Sequence, residues 1–300
     1  MQLDISQSSL IVYEALASKV RIEIIQLLSK NKLNVKELAE KLNLSSAIVT
    51  KHIAKLEAAG LIKTDRIPGK SGIQKVSSLK IDRIEITFPQ KIYYSYEAYE
   101  ASIPVGHYTD YSVKPTCGLA NLDEFIGQVD QSKYFMDPNR MSAQILWFTE
   151  GFVEYKLPNY LTTHEQLEVL EISLEISSEF PYSNDVWPSD ITFSLNGIEL
   201  GCYTSPGDFA DTRGKLTPDW WPSDINQYGL LKTLRITKHG TYMDGQALSD
   251  TSILDFQSHI ETWNFKIEVK EDAKNVGGLT IFGKGFGNHN QDINFKIYYS

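Results

Sequence analysis

Between Val35 and Leu61 the residue spacing leaves little freedom for local structure. Val35, Leu38, Ala39 and Leu42 fall at i, i+3, i+4 and i+7, one face of an α-helix. Asn34 stands just before them and Glu37 three residues later, the pattern of a capping box. Asn43-Leu44-Ser45 interrupts the run, and Ser45 or Ser46 restarts it as an N-cap. Val49, Ile53 and Leu56 form a second apolar stripe, and Gly60 supplies the left-handed position on which helices often end. Two short helices joined by a tight turn make a helix-turn-helix. The second helix buries one stripe and is expected to offer Ser45, Ser46, Thr50, Lys51, His52 and Lys55 to base edges or phosphates. Double-stranded DNA is therefore the expected partner.

The flanking residues extend this reading. Val20, Ile24, Leu27 and Leu28 predict an amphipathic helix upstream, and Leu10 to Leu16 a shorter one before it. Leu61 to Asp65 reads as a strand, Arg66 to Gly72 as a basic turn, and Ile73 to Leu79 as the returning strand. A hairpin with a basic tip after a recognition helix is a wing, which would lay Arg66, Lys70 and Ser71 along the phosphate backbone.

With these elements in place, residues 10–80 resemble winged-helix repressors of the ArsR type. The resemblance rests on Leu38-Ala-Glu-Lys-Leu-Asn-Leu-Ser45, on Val49-Thr-Lys-His-Ile-Ala-Lys-Leu-Glu-Ala-Ala-Gly-Leu-Ile62, and on the wing. It implies a homodimer bound to a pseudo-palindromic operator. The Cys-x-Cys of the metal-sensing members has no counterpart in the helix before the recognition helix, so metal sensing there is not expected.

Charge separates the DNA reading from that of a small helical domain making protein contacts. Residues 1–91 hold 15 Lys+Arg against 9 Asp+Glu, a net of +6, while residues 92–300 hold 14 against 29, a net of −15. A basic end on an acidic body suits a chain of which only one end meets phosphate. No run of 18 apolar residues exists, so no membrane partner is expected, and the N-terminus lacks the basic-then-apolar form of a secretory signal. Cys117 and Cys202, the only cysteines, fit a reducing cytoplasm without a disulfide framework. No metal or cofactor is expected. The histidines show no zinc spacing, and Gly283-Lys-Gly-Phe-Gly287 precedes no helical pattern that would make it a phosphate loop.

After the wing the character of the chain changes. Aromatics, Gly and Pro become common and long helical periodicity disappears. Strand candidates run from Arg83–Phe88 and Ile92–Tyr99 to Ser258–Val269 and Ile293–Tyr299. In one of them Leu170, Ile172, Leu174 and Ile176 alternate with Glu171, Ser173, Glu175 and Ser177. Asn196-Gly197 is a type I′ hairpin signal. The expected fold is an α+β multidomain chain: an N-terminal winged helix-turn-helix over residues 1–79, and a C-terminal antiparallel β-sandwich or jelly roll over residues 80–300.

One region of the second part reads unlike core. Trp-Pro-Ser-Asp-Ile occurs at 187–191 and again at 221–225. Trp187, Trp220 and Trp221 lie there among Asp190, Asp208, Asp211 and Arg213. Indoles stack on the apolar faces of sugar rings, while carboxylates and a guanidinium bind sugar hydroxyls, so these residues are candidates for an effector site. His289 and Asp292 are candidates to line the same pocket or to cap a strand. Other uses stay open: paired turns with Trp as plug and Asp as cap, a dimer contact at Trp220-Trp221, Ca²⁺ at Asp208 and Asp211, or a glycosidase pair such as Asp190 and Asp224. The whole chain resembles a subset of ArsR-type regulators with a long C-terminal β-domain and ties to sugar metabolism. The segments that carry this are Ser205-Pro-Gly-Asp-Phe-Ala-Asp-Thr-Arg-Gly-Lys-Leu-Thr-Pro-Asp-Trp-Trp221 and Ile281-Phe-Gly-Lys-Gly-Phe-Gly-Asn-His-Asn-Gln-Asp-Ile293. It implies a transcriptional regulator, a repressor rather than an enzyme, whose β-domain senses a small molecule of the carbohydrate class. The alternative is a β-domain that serves as a structural or protein-binding module.

Overall fold

The computed structural model describes residues 1–29, 31–69, 72–81, 83–87, 96–257 and 260–300. It divides into two compact units, Met1–Tyr93 and Tyr94–Ser300.

The first unit contains β1 (Gln2–Asp4), α1 (Leu10–Leu16), α2 (Lys19–Leu28), β2 (Leu33–Asn34), α3 (Val35–Leu42), α4 (Ser46–Ala58), β3 (Ile62–Gly69), β4 (Gly72–Leu79) and β5 (Glu85–Thr87). Each helix gives its apolar stripe to one core: Val12 and Ala15, Ile24 and Leu28, Leu38 and Ala39, then Val49, Ile53 and Leu56. Arg21 is buried at the end of α1, where Nε donates to the Ala15 carbonyl at 2.6 Å and Nη2 to that of Glu14 at 2.6 Å. It thereby satisfies carbonyls that a helix C-terminus leaves open.

The wing is a three-stranded sheet in the order β2-β4-β3. Its strands run further than the sequence suggests. Arg66 pairs with Lys75 inside the ladder and Gly69 with Gly72, so the basic turn does not begin at Arg66. Pro68 lies on β3, an edge strand of this sheet, the position in a sheet where proline is tolerated. Lys70 and Ser71 lie outside the described residues.

The boundary also moves. β5 pairs in parallel with β1, Gln2 with Glu85 through Asp4 with Thr87, and Ile81 and Ile84 pack on the helical core. The division therefore falls after residue 93 rather than at 79/80. Arg83–Phe88 does contain a strand, but its partner lies about 80 residues away, at the N-terminus.

The second unit contains β6 (Glu97–Ile103), β7 (Asp110–Ala120), β8 (Ile145–Pro158), β9 (Leu167–Ser177), β10 (Ser189–Leu195), β11 (Ile198–Ser205), β12 (Leu230–Thr237), β13 (Gly240–Met243), β14 (Gln246–Ser249), β15 (Thr262–Val269), β16 (Leu279–Phe282) and β17 (Ile293–Tyr299). All pair antiparallel within one 12-stranded sheet. β8 holds β7 along one edge and divides the other between β16 at residues 145–148 and β15 at residues 151–158. β9 likewise meets β12 on one edge and both β16 and β17 on the other. Hydrogen bonding thus joins all twelve strands into one branched antiparallel sheet. Residues 258–259, within the expected strand Ser258–Val269, lie outside the described residues, as do 88–95.

Local signals in this unit behave as expected. Asn196 and Gly197 have φ of 50° and 77°, the signature of a type I′ turn, and join β10 to β11. Leu170, Ile172, Leu174 and Ile176 are all fully buried in the main core. The opposite face of β9 departs from simple alternation, because Glu175 and Ser177 are fully buried too. The segment between β11 and β12 and the loop after β16 cover that end: the backbone N–H groups of Gly229, Asn288 and His289 all donate to the Glu175 carboxylate. Beneath this cover lies a smaller aromatic core of Trp147, Trp221, Phe282 and Phe286, with Phe125 and Trp220 against it. Among the described residues no helix is long and apolar enough to cross a membrane.

Candidate DNA-reading surface and candidate effector cleft

The capping box at α3 forms as expected. Asn34 Oδ1 accepts from the Lys36 and Glu37 N–H groups at 2.9 and 3.0 Å, and Glu37 Oε2 accepts from the Asn34 N–H at 2.7 Å. Asn43 ends the helix at φ 54°, the left-handed turn that redirects the chain. Ser45 caps α4 and accepts from the Ile48 N–H at 3.4 Å. With Val49, Ile53 and Leu56 buried, Ser46, Thr50, Lys51 and Lys55 are exposed, and Ser45 is exposed at the start of α4. Thr50 Oγ1 donates to the Ser46 carbonyl at 2.7 Å, which fixes the hydroxyl against the helix. Arg66 is exposed on β3.

His52 differs from its neighbours. It is half-buried and its Nδ1 is enclosed without a partner. Burial, with the positive charges of Arg21 and Lys55, holds its pKa below the usual histidine value. At neutral pH it is an uncharged packing residue of α4.

The candidate effector residues do not converge on one point. Trp221 is 1% exposed. Phe125, Trp147, Trp220 and Phe286 surround it with ring centroids 5.1 to 5.7 Å away, and its Nε1 donates to the Asn226 carbonyl at 3.1 Å. It is a core plug with no face free for a sugar. Trp220 is half-buried and anchored through Nε1 to the Leu122 carbonyl. Trp187 is half-buried against Phe180, at 4.8 Å. Arg213 braces its own loop by donating to the Pro218 and Trp221 carbonyls, with Asp219 at 3.9 Å. Asp190 clamps the sheet edge, accepting from Thr204 Oγ1 at 2.7 Å and from the Asn275 N–H at 3.0 Å. Asp211 accepts from the Tyr228 hydroxyl at 2.5 Å. Asp292 closes the glycine-rich loop, accepting from the Lys284 N–H at 3.2 Å, and His289 donates its backbone N–H to Glu175. The repeated pentapeptide has no structural repeat: Ser189 to Ile191 open β10, whereas Pro222 to Ile225 form a turn. Among the described residues no group of three or more His, Cys, Asp or Glu could hold a metal ion.

A cleft of about 210 Å³ does open beside the small aromatic core. Phe125, Trp147 and Phe180 supply aromatic wall, with Val129, Pro181 and Ile225 as aliphatic wall. Its polar groups are Thr116, Asp130, Glu179 and Asn226. Glu179, 6% exposed, is held entirely by neutral donors. Oε1 accepts from Thr116 Oγ1 at 3.0 Å, and Oε2 accepts from Asn226 Nδ2 and Thr280 Oγ1, each at 3.1 Å. Burial, together with the negative charge of Asp208, drives its pKa well above the usual carboxylate range. Sequence reasoning missed this site because its lining comes from segments over 100 residues apart. The one local signal was Ser177-Ser178-Glu179, polar residues directly after a fully apolar alternation.

Asp208 sits behind the cleft wall. It is fully buried; Oδ2 accepts from the Phe180 N–H at 3.1 Å, and Oδ1 has no partner. Burial, with a smaller contribution from Asp185, raises its pKa to about 7. An unfolded Asp titrates near ~3.9, so the folded protein binds the extra proton between those values. The stabilisation is complete below about pH 4 and is lost as pH rises through 7, a change on the order of 4 kcal/mol. Asp208→Asn should therefore melt above the parent at pH 8, with the gap closing by pH 4. Tryptophan fluorescence reads the relevant transition, because all five tryptophans lie in the second unit. Parallel pH profiles for parent and variant would refute this titration.

The model of the "Bacterial regulatory protein, arsR family" matches residues 18–64. An uncharacterized HTH-type transcriptional regulator of Methanocaldococcus jannaschii is 36% identical over 67 residues, which are 22% of this chain and 70% of that protein. Among solved structures, HlyU from Vibrio cholerae is 28% identical, covering 24% of this chain and 73% of its own, at a TM-score of 0.21. The CBM36-1 domain of a multidomain xylanase from the hindgut metagenome of Trinervitermes trinervoides is 10% identical and covers 66% of this chain and 96% of its own, at a TM-score of 0.29. TM-scores this low establish no common overall fold. The family model falls on the helix-turn-helix whose caps, turn and exposed face are described above, the relative is itself named an HTH-type transcriptional regulator, and the chain belongs to the arsR family of DNA-binding transcriptional regulators.

Proposed function

We propose that the second unit is the sensory half of this regulator and that the cleft beside Glu179 holds its effector. The observation that carries this reading is the cleft itself, an apolar and aromatic cavity with a few convergent polar groups, one of them a buried carboxylate. At about 210 Å³ it lies below the ~300–1,000 Å³ of drug-sized pockets, so the effector is small, of monosaccharide rather than oligosaccharide size. Its mix of rings, hydroxyl, amide and carboxyl groups suits a carbohydrate-class ligand. We read the chain as a homodimeric repressor without catalytic activity. Its effector changes the balance between arrangements that bind DNA and arrangements that do not, by binding one of them better.

The test starts from a duplex selected out of random sequence by the purified protein. Its affinity is then followed by fluorescence anisotropy with and without a panel of monosaccharides. One of them is expected to stabilise the protein by about 2.7 kcal/mol at 100 times its dissociation constant. The same compound should change the DNA dissociation constant by roughly 5- to 150-fold. A compound that binds the protein and leaves DNA affinity untouched would refute the sensor reading.

A further inference from the structure

The chemistry of the cleft selects among small ligands. Its two carboxyl groups, Glu179 and Asp130, are accompanied by no Lys, Arg or His among the described lining residues. Glu179 is hydrogen-bonded only by the neutral Thr116, Thr280 and Asn226, and its charged neighbours Asp208 and Asp130 are of its own sign. A buried carboxylate without a counter-charge is costly, and a cation brought into the same low-dielectric space interacts strongly with it. The remaining wall is aromatic, and ring quadrupoles favour cations over anions. Anionic ligands meet two carboxyl groups and no compensating charge.

Resting on the sensor reading of this cleft, we propose that its ligand carries an amine: a small primary ammonium on a compact body of monosaccharide size, with the charge met by Glu179 and Asp130. Entry of the ammonium opposes the burial and like-charge repulsion that raise the Glu179 pKa, and so favours the ionised form. Any proton the carboxyl carries passes to solvent as the ionised carboxylate pairs with the ligand. Thr116 and Thr280 can donate to the ionised carboxylate as they stand, so the protein needs no rearrangement to hold it. The titratable groups facing Glu179 are Asp208, Asp130 and Cys117, and none supplies a positive charge.

Four probes separate the amine from the sugar: D-glucosamine, D-glucose, cyclohexylamine and cyclohexanol. Each is titrated into the full chain, with binding read from tryptophan fluorescence, since Trp147 lines the cleft. Both amines are expected to bind more tightly than their neutral counterparts, and calorimetry in two buffers should show net proton release from the protein on amine binding. Glu179→Gln keeps the side-chain shape and a carbonyl acceptor among the neutral partners Thr116, Thr280 and Asn226, so the fold should be kept while amine affinity falls by about 30-fold or more. Asp130→Asn, at an exposed position, is the second variant and should weaken both amines a few-fold at an unchanged melting temperature. Glucose binding as well as glucosamine overturns the amine proposal and leaves the sensor reading intact. Amine binding without proton release, or unaffected by Glu179→Gln, also overturns it. Failure of all four probes to bind refutes both the amine and the use of this cleft by a monosaccharide-sized ligand.

Discussion

Trp221→Ala is expected to destabilise the second unit by about 3–5 kcal/mol, the range for removing a buried large aromatic. The indole is 1% exposed and touches four aromatic neighbours, so its loss leaves a hole that rigid rings cannot fill. The Nε1–H bond to Asn226 goes as well, and Asn226 is one of the donors that hold Glu179. At roughly 2–4 °C per kcal/mol for a unit of this size, the melting temperature should fall by about 6–20 °C. Trp187→Ala is the control: Trp187 is half-buried and packs on one ring, so a much smaller loss is expected. Equal losses would refute the description of Trp221 as the plug of the small core. Any loss of effector response in Trp221→Ala must therefore be measured well below the lowered melting temperature.

Removing both exposed lysines of α4, Lys51→Ala with Lys55→Ala, is expected to weaken DNA binding without changing stability. Each phosphate contact contributes a slope of about 0.9 in log affinity against log salt, so the double variant should lose about 1.8 from that slope. At 0.1 M salt the same relation gives roughly a tenfold loss per contact. Because phosphate contacts carry no sequence information, the loss should be similar for the selected duplex and for an unrelated one. An unchanged salt slope would mean that this face of α4 does not meet the backbone. His52→Ala should behave differently: the imidazole is half-buried and uncharged at neutral pH, so its removal acts through packing and leaves the slope alone.

The two units differ in how far they can be read from the residues alone. In the first, the stripe Val49, Ile53 and Leu56, the capping box of Asn34 and Glu37 and the restart at Ser45 are relations within one or two helical turns. Local sequence therefore determined the helix-turn-helix and its exposed Ser46, Thr50, Lys51 and Lys55. What escaped there was long-range: β1 against β5, and the inward turn of His52 towards Arg21. In the second unit the alternation of β9 and the Asn196-Gly197 turn were equally local and equally legible.

Tertiary structure decided the cleft. Two copies of Trp-Pro-Ser-Asp-Ile have the same intrinsic preferences, yet Trp221 is a buried plug and Trp187 lies half-buried against Phe180, because different segments cover them. Glu175, on the polar side of the β9 alternation, and Glu179, just beyond it, look like solvent-facing positions, and they are buried because the loops before β12 and after β16 fold over that end of β9. Thr116, Phe125, Trp147, Glu179 and Asn226 come together through strand pairings and loop closures that span over 100 residues. Helix faces and caps are set by neighbours in sequence, and so the sequence displays them. Strand partners and covering loops are chosen by the free energy of the whole folded unit, and no local pattern encodes which carboxyl group will be left facing a cavity.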